Sequence, residues 1–342
     1  ARPAKPLPPR ARRPDAPATR SGETTLSPER ATLGRYHLER EIGRGSMGAV
    51  YLGRDVRADR PVALKTMALG REFEGAELAE ARARFFREAE MAGRLRHPDI
   101  VTIFDAGEDQ GLAFIAMEYI DGQDLLRHAQ PARLLPVPHV LRIVARVARA
   151  LAYAHTQGIV HRDVKPANVM VDLARDVVKV TDFGIARITD DCRTRTGLVL
   201  GTPSFMSPEQ MAGRHLDGRT DIYSLGVMLF QLLAGALPHR SHNMAELMRS
   251  IVNDTAPDVR TLRPELPEML ANVVALALER RVELRYADGV QFACDLDDVL
   301  RLIEPQAAPA LARAVSGESA TATGYEATAR FPPGDPRHNA GH

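Results

Sequence analysis

Apolar and polar positions change rhythm several times along the 342-residue chain. Residues 1–34 carry almost no large apolar side chains, and seven prolines and seven basic residues stand there against three acidic ones. Such a segment cannot bury enough surface to offset its ordering entropy, which predicts a disordered Pro/Arg-rich linker. From Arg35 the pattern turns strand-like. Tyr36, Leu38 and Ile42 alternate ahead of a glycine cluster, and Val50, Tyr51, Leu52 and then Val62, Ala63, Leu64 read as buried strands. Over residues 76–96, Phe85, Phe86, Ala89, Ala92 and Leu95 recur near helical spacing. His97-Pro98 predicts the end of that helix, because proline disfavours helix in the residue before it. Phe114 to Ile120 predicts a further strand.

From about Val137 helical periods dominate. Val140, Ile143, Val144, Val147, Ala150, Leu151 and Ala154 form a broad apolar face. Residues 221–233 are apolar nearly all round, which predicts a buried helix. Helices are also expected over 243–252, 267–279 and 288–303, the last with Cys294 in the core, and short strands over 169–171 and 177–180. Beyond Pro305 the chain turns to Ala, Thr, Ser, Gly and Pro, and 305–342 is expected to be a disordered tail. A small β-rich lobe (about 35–118) thus precedes a larger helical one (about 122–304), with a cleft between them.

Composition removes whole classes of function. Hydrophobic residues at 44% and charged residues at 26% are ordinary globular values, which excludes a collagen-like, coiled-coil or wholly disordered chain. Lys plus Arg is 45 and Asp plus Glu 44, so the net charge of 45 − 44 = +1 offers no bulk attraction for nucleic acid. The only cysteines, Cys192 and Cys294, lie too far apart for a cysteine-built zinc site or a disulfide scaffold. No run of 18 apolar residues spans a membrane. The chain starts at Ala1 rather than Met, which fits a fragment or a processed form.

The chemistry sits in three places. Gly43, Gly45 and Gly48 let backbone approach a polyphosphate with no Cβ in the way. A dinucleotide-binding turn would need a helix directly after the glycines, whereas Ala49-Val50-Tyr51-Leu52 continues as strand. Lys65, at the end of the Val62-Ala63-Leu64 run, suits phosphate if a fixed acid steadies it, and Glu88 on the following helix is the candidate. The strongest signal is His161-Arg162-Asp163-Val164-Lys165-Pro166-Ala167-Asn168, followed by Asp182-Phe183-Gly184. Asn168 and Asp182 are hard oxygen donors suited to Mg²⁺. Asp163 can accept a proton from an alcohol nucleophile or simply orient it, and Lys165 can neutralise charge on a transferring group.

In this order the motifs resemble those of eukaryotic-type protein kinases, specifically the Ser/Thr class found in bacteria. The resemblance covers about residues 35–304 and at least seven motifs. It implies an α+β fold of two lobes: a small N-terminal antiparallel sheet with one helix, and a larger, mainly helical C-terminal lobe. It implies transfer of the γ-phosphoryl group of ATP to Ser or Thr hydroxyls of proteins, with Mg²⁺ or Mn²⁺. Carried over residue by residue, Gly43, Gly45 and Gly48 become the lid over the phosphates, and Ile42, Val50 and Ala63 line the nucleotide pocket. Lys65 holds phosphate and pairs with Glu88. Met117 matches the gatekeeper, Glu118 and Tyr119 the hinge that bonds adenine, and Asp124 a ribose-binding acid. Asp163 and Lys165 are the catalytic pair of the loop, and Asn168 and Asp182 the metal ligands. Asp221 braces the catalytic loop, Phe183 is structural, Arg162 can grip a phosphate on the activation segment, and Glu209 pairs with Arg285 inside the large lobe. Thr194 and Thr196 match an autophosphorylated pair in the activation segment, which ends over Gly201-Thr202-Pro203 to Ser207-Pro208-Glu209.

Two departures, Ser207-Pro208-Glu209 for Ala-Pro-Glu and Val62-Ala63-Leu64-Lys65 for Val-Ala-Ile-Lys, keep the ion-pairing residues. The alternative from another class is a pseudokinase, an ATP-binding scaffold without transfer. Against it, Lys65, Glu88, Asp163, Asn168 and Asp182 are all present. The expected partners are ATP and Ser/Thr-bearing proteins, with no nucleic acid; a homodimer is compatible. The expected location is the cytoplasm. The stretch from Thr66 to Glu88 is similar to kinases fused behind a membrane-embedded sensor, which would make 1–34 a truncated tether whose arginines favour the inner face.

Overall fold

The computed structural model describes residues 32–45, 48–183, 203–241 and 243–304. Most of the expected linker, the tail 305–342, and Gly184, Cys192, Thr194, Thr196, Gly201 and Thr202 lie outside the described residues.

Six strands make one antiparallel sheet in the order β1-β2-β3-β4-β6-β5. They are β1 (Thr32–Leu33), β2 (Tyr36–Gly45), β3 (Gly48–Asp55), β4 (Arg60–Met67), β5 (Ile103–Asp109) and β6 (Leu112–Glu118). Because side chains alternate along a strand, the sheet sorts its own residues. Tyr36, Leu38, Tyr51, Leu64, Phe114 and Ala116 pack as one layer. Met67, Ala113 and Ile115 meet Ala81, Phe85 and Ala89 of α2 (Gly75–Gly93), after the single turn α1 (Leu69–Glu72). Burying a side chain of the size of Phe85 stabilises the contact by about 1.5–3 kcal/mol. In the β4–β6 register Lys65 faces Ile115 and Ala63 faces Met117, so Lys65 stands between an apolar patch and the helix.

Two details differ from the sequence-based expectation. Thr32–Leu33, within the expected linker, is a strand, and Leu33 is fully buried against Tyr36 and its neighbours. Strand β5 carries no clear alternation because it is an edge strand with Asp105, Glu108 and Asp109 in its run. Asp105 is put to use there, accepting from the Tyr36 hydroxyl at 3.1 Å.

The large lobe holds a small sheet of β7 (Gln123–Asp124), β8 (Val169–Asp172) and β9 (Val177–Val180). Its described helices are α3 (Val137–Thr156), α4 (Pro208–Met211), α5 (Gly218–Ala234), α6 (Met244–Asn253), α7 (Glu268–Ala277) and α8 (Gly289–Ile303). Helix α5 is buried nearly all round, from Thr220 to Phe230, as its unbroken apolar run predicts. Asp217 caps its start by accepting from the Arg219 N–H, and Gly235 ends it in the left-handed conformation. On α8 the core takes Phe292, Ala293, Leu296 and Val299. Cys294 falls off that stripe and is exposed, which corrects the expectation that it is a core residue.

The lobes are joined behind the cleft. Val180 of β9 donates to the Asp99 carbonyl at 2.8 Å and accepts from the Val101 N–H at 2.9 Å. Arg146 of α3 bonds the carboxylate of Asp99, whose residue is buried. The segment leading into β5 is therefore tied to the large lobe.

One ion pair locks the end of α4 to the lower helices. The Arg285 guanidinium, its side chain fully buried, donates to both oxygens of Glu209 at 2.9 and 3.3 Å and to the Arg219 carbonyl at 2.6 Å. Burial pushes the Glu209 carboxyl up, but the hydrogen bond and charge of Arg285 outweigh it and hold the group below its ordinary value. Arg285→Ala should lower stability by about 3–5 kcal/mol, because it strands a buried carboxylate; a thermal melt equal to wild type would contradict this. A carboxyl whose folded pKa is depressed contributes its stability above the unfolded pKa and loses it as pH falls through the folded one. The gap between the wild-type and Arg285→Ala melting temperatures should therefore shrink on acidification below the ordinary carboxylate range.

Candidate functional site

The loop that leaves α3 is held from below by one carboxylate. Asp221, in the first turn of α5 and fully buried, accepts from the His161 N–H (2.8 Å) and the Arg162 N–H (2.7 Å), and its Oδ2 lies 2.7 Å from His155 Nε2. Arg162 takes a left-handed φ of 67°, which costs a non-glycine residue of order 1 kcal/mol and persists only when its surroundings demand it. The His161 ring is fixed as well. Its Nδ1 accepts from the Asp163 N–H at 3.3 Å, so the proton sits on Nε2 and points to the Thr181 carbonyl, 2.8 Å away. The ring also lies against Phe183, 4.6 Å between centroids.

On this base three polar side chains converge. The Asp163 carboxylate meets Lys165 Nζ at 2.7 and 2.9 Å and Asn168 Nδ2 at 2.9 Å. Asn168 Nδ2 also reaches the Asp163 carbonyl, at 2.7 Å. With the amide nitrogen of Asn168 so engaged, its oxygen stays without a hydrogen bond among the described residues and is the atom a hard cation would take. Thr181, just past β9, clips Asn168, donating backbone N–H and hydroxyl to its carbonyl. This places Asp182 directly beyond, with a left-handed φ of 65°.

Across the cleft Lys65 Nζ sits 2.8 Å from Asp182 Oδ1. Desolvation pushes the Asp182 carboxyl up, and the Lys65 charge and hydrogen bond more than reverse it, so the group lies below its usual value. The expected partner of Lys65 was Glu88, and the two do not pair here: Glu88 is half-buried on α2 and Lys65 is taken by Asp182. Among the described residues no three His, Cys, Asp or Glu side chains form a self-sufficient metal cluster. Two oxygen donors, Asn168 and Asp182, fit a cation that brings its own waters and phosphate oxygens.

Ala63, Val101 and Met117 pack as an apolar cluster with Val50, Tyr119 and Ile120. Ile42 of β2 is 37% exposed. Glu118 N–H donates to the Thr102 carbonyl at 2.9 Å, and its side chain bonds Lys179 of β9 at 2.9 Å. Asp124 caps the turn after β7 by accepting from the Leu126 N–H at 3.1 Å. Sequence reasoning missed His155 and Lys179, because each reads as an ordinary polar residue of an amphipathic element; only the fold sets them on Asp221 and Glu118.

The three glycines have different work. A Cβ on Gly48 would lie 1.7 Å from the Thr66 carbonyl oxygen, while one on Gly45 would meet nothing within 4 Å. Gly48 is thus needed for two strands to approach, and Gly45 leaves open space beside the loop. Gly48→Ala should lower the melting temperature markedly, as overpacking against backbone costs about 1–3 kcal/mol or more. Gly45→Ala should melt like wild type. Equal melts for the two variants would overturn the distinction.

The sequence signature described as the protein kinase domain matches residues 36–289. The chain is 39% identical over 278 residues to the serine/threonine-protein kinase pkn3 of Myxococcus xanthus, covering 78% of this chain and 50% of that protein. It is 40% identical to PknF of Mycobacterium tuberculosis (78% of this chain, 56% of that protein) and 36% identical to PrkC of Bacillus subtilis (77% and 40%). The chain thus spans about half the length of the curated relatives it matches. Among solved structures, the PknI kinase domain of Mycobacterium tuberculosis superposes with a TM-score of 0.64 at 34% identity, covering 79% of this chain and 98% of that one.

Proposed function

The chain belongs to the protein kinase family, with bacterial Ser/Thr kinases as its relatives, and on that premise we propose that it transfers the γ-phosphoryl group of ATP to Ser or Thr hydroxyls of proteins. The observation that carries this reading is the pairing of two charged centres across one cleft: Asp163 with Lys165 and Asn168 on the lower side, Lys65 with Asp182 spanning to the upper. In this reading the apolar cluster of Val50, Ala63 and Met117 takes the adenine, with Ile42 closing over it and the backbone of Glu118 and Tyr119 bonding its edge. Asp124 takes the ribose. Lys65 holds the nucleotide phosphates beneath Gly43, Gly45 and Gly48. Asp163 orients the substrate hydroxyl and takes its proton at a carboxylate oxygen, and Lys165 offsets charge on the transferring group. Asn168 and Asp182 would hold Mg²⁺ or Mn²⁺, which supplies charge neutralisation on the phosphates. Glu88 would replace Asp182 as the partner of Lys65 in the transferring state.

No described helix is long and apolar enough to cross a membrane. The reaction belongs where ATP is, which favours the cytoplasm. Nothing in the site favours the scaffold reading, since every polar residue that transfer requires is present.

Phosphoryl transfer works through positioning and electrostatics, where loss of one key group costs about 10²-fold or more. Lys65→Met and Asp182→Asn should each nearly abolish radiolabel transfer from Mg-ATP to a basic test protein, with melts that remain cooperative. Full activity in either variant would sink these assignments, and a wild-type protein without transfer would sink the reading. Thr194 and Thr196 are proposed to be phosphorylated by the enzyme itself, each gaining about −1.5 to −2 charge. Intact-mass and peptide mass spectrometry should find phosphate on one or both in wild type and none in Asp182→Asn. An unmodified segment in an active enzyme would remove them from regulation.

A further inference from the structure

Gln210, the residue after Glu209, is bonded to more than its own helix. Ser207 Oγ accepts from the Gln210 N–H at 3.3 Å, and Gln210 Oε1 accepts from the Ser207 N–H at 3.0 Å, a reciprocal cap on α4. Gln210 Nε2 then donates to the Arg162 carbonyl at 3.0 Å. These partners settle the orientation of the amide. Reversed, it would set its NH₂ against the Ser207 N–H and its oxygen against the Arg162 carbonyl.

The Arg162 carbonyl and the Asp163 N–H belong to one planar peptide unit. That unit is gripped by Gln210 at its oxygen and by His161 Nδ1 at its N–H, while the preceding peptide is held through the Arg162 N–H by Asp221. Arg162 lies between them at a strained φ of 67°. Releasing the oxygen would let the plane turn, and Asp163 would turn with it.

We propose that Gln210 is a positioning residue for phosphoryl transfer. It holds Asp163 in place from α4 through the Arg162–Asp163 peptide. This rests on the kinase reading above. It also gives a purpose to the serine that stands where the family pattern has alanine: Ser207 holds the Gln210 backbone while the Gln210 side chain holds the loop.

Gln210→Glu separates this role from simple capping. A capping box accepts Glu as readily as Gln, and a carboxylate suits a helix N-terminus. The glutamate puts an acceptor oxygen where the donor to the Arg162 carbonyl stood, so it removes that bond and repels the carbonyl. Gln210→Glu should therefore keep a cooperative melt and its KM for ATP, while kcat falls about tenfold or more, the size of effect that small misplacements of catalytic groups produce. Gln210→Met, close in size and without a donor, should lower kcat likewise. Ser207→Ala should lower the melting temperature yet leave kcat within about twofold, since it leaves the Gln210 side chain on the loop.

Hydrogen exchange over residues 161–165 should be faster in Gln210→Glu than in wild type, a readout independent of turnover. Wild-type kcat in Gln210→Glu overturns the proposal, whatever the exchange shows. Unchanged exchange with lowered kcat also overturns it, because the effect would not run through the loop. Absence of transfer in wild type would instead count against the kinase reading, and exchange alone would then judge the grip.

Discussion

The buried carboxylate of Asp221 is the point on which the site rests. An acid removed from water is costly unless donors replace the lost hydration. Here the His161 and Arg162 amides and the His155 ring do so, and the loop acquires its shape in the act of satisfying them. The left-handed φ of Arg162 comes just beyond these two amides, between them and the Arg162–Asp163 peptide. Helix α5 can present such an acid because its surroundings are apolar on nearly every side, leaving the loop amides as its partners.

The upper half of the site is governed by a different constraint. Lys65 is fixed by the β3–β4–β6 register, and here its charge is met by an anion from the other lobe. Asp182 meets it because β9 is tied to the segment ahead of β5 through Val180. Register in one lobe and a backbone link between lobes thus bring opposite charges within 2.8 Å. The same hairpin reaches the end of β6, where Lys179 bonds Glu118.

The end of the segment before α5 is welded in place by polar bonds. Glu209 is held by Arg285 and Thr220, and the Phe205 carbonyl by Ser224. These groups are buried, so each must be matched or be destabilising. The cluster thereby makes a rigid seat from which Gln210 can reach the loop.

Periodicity alone determined the lobes and most helices. The apolar face of α3, the continuous apolar run of α5 and the glycine-then-strand order of β2 and β3 are local patterns, and local patterns survive in a single string. The motif residues Lys65, Asp163, Asn168 and Asp182 were legible for the same reason, because each stands at a fixed offset within a short run. Strand β5 was not, since an edge strand needs only one paired side and tolerates the acids that hide its alternation. The exposure of Cys294 was not legible either, as it depends on which face of α8 the rest of the lobe covers. The partner of Lys65 lies 117 positions along the chain, at Asp182, while Glu88 lies nearer in sequence; the choice between them is made by how the lobes sit, a property of tertiary packing. So too with His155 on Asp221 and Gln210 on Arg162: hydrogen bonds between distant elements leave no period in the sequence, because their geometry exists only after the helices have packed.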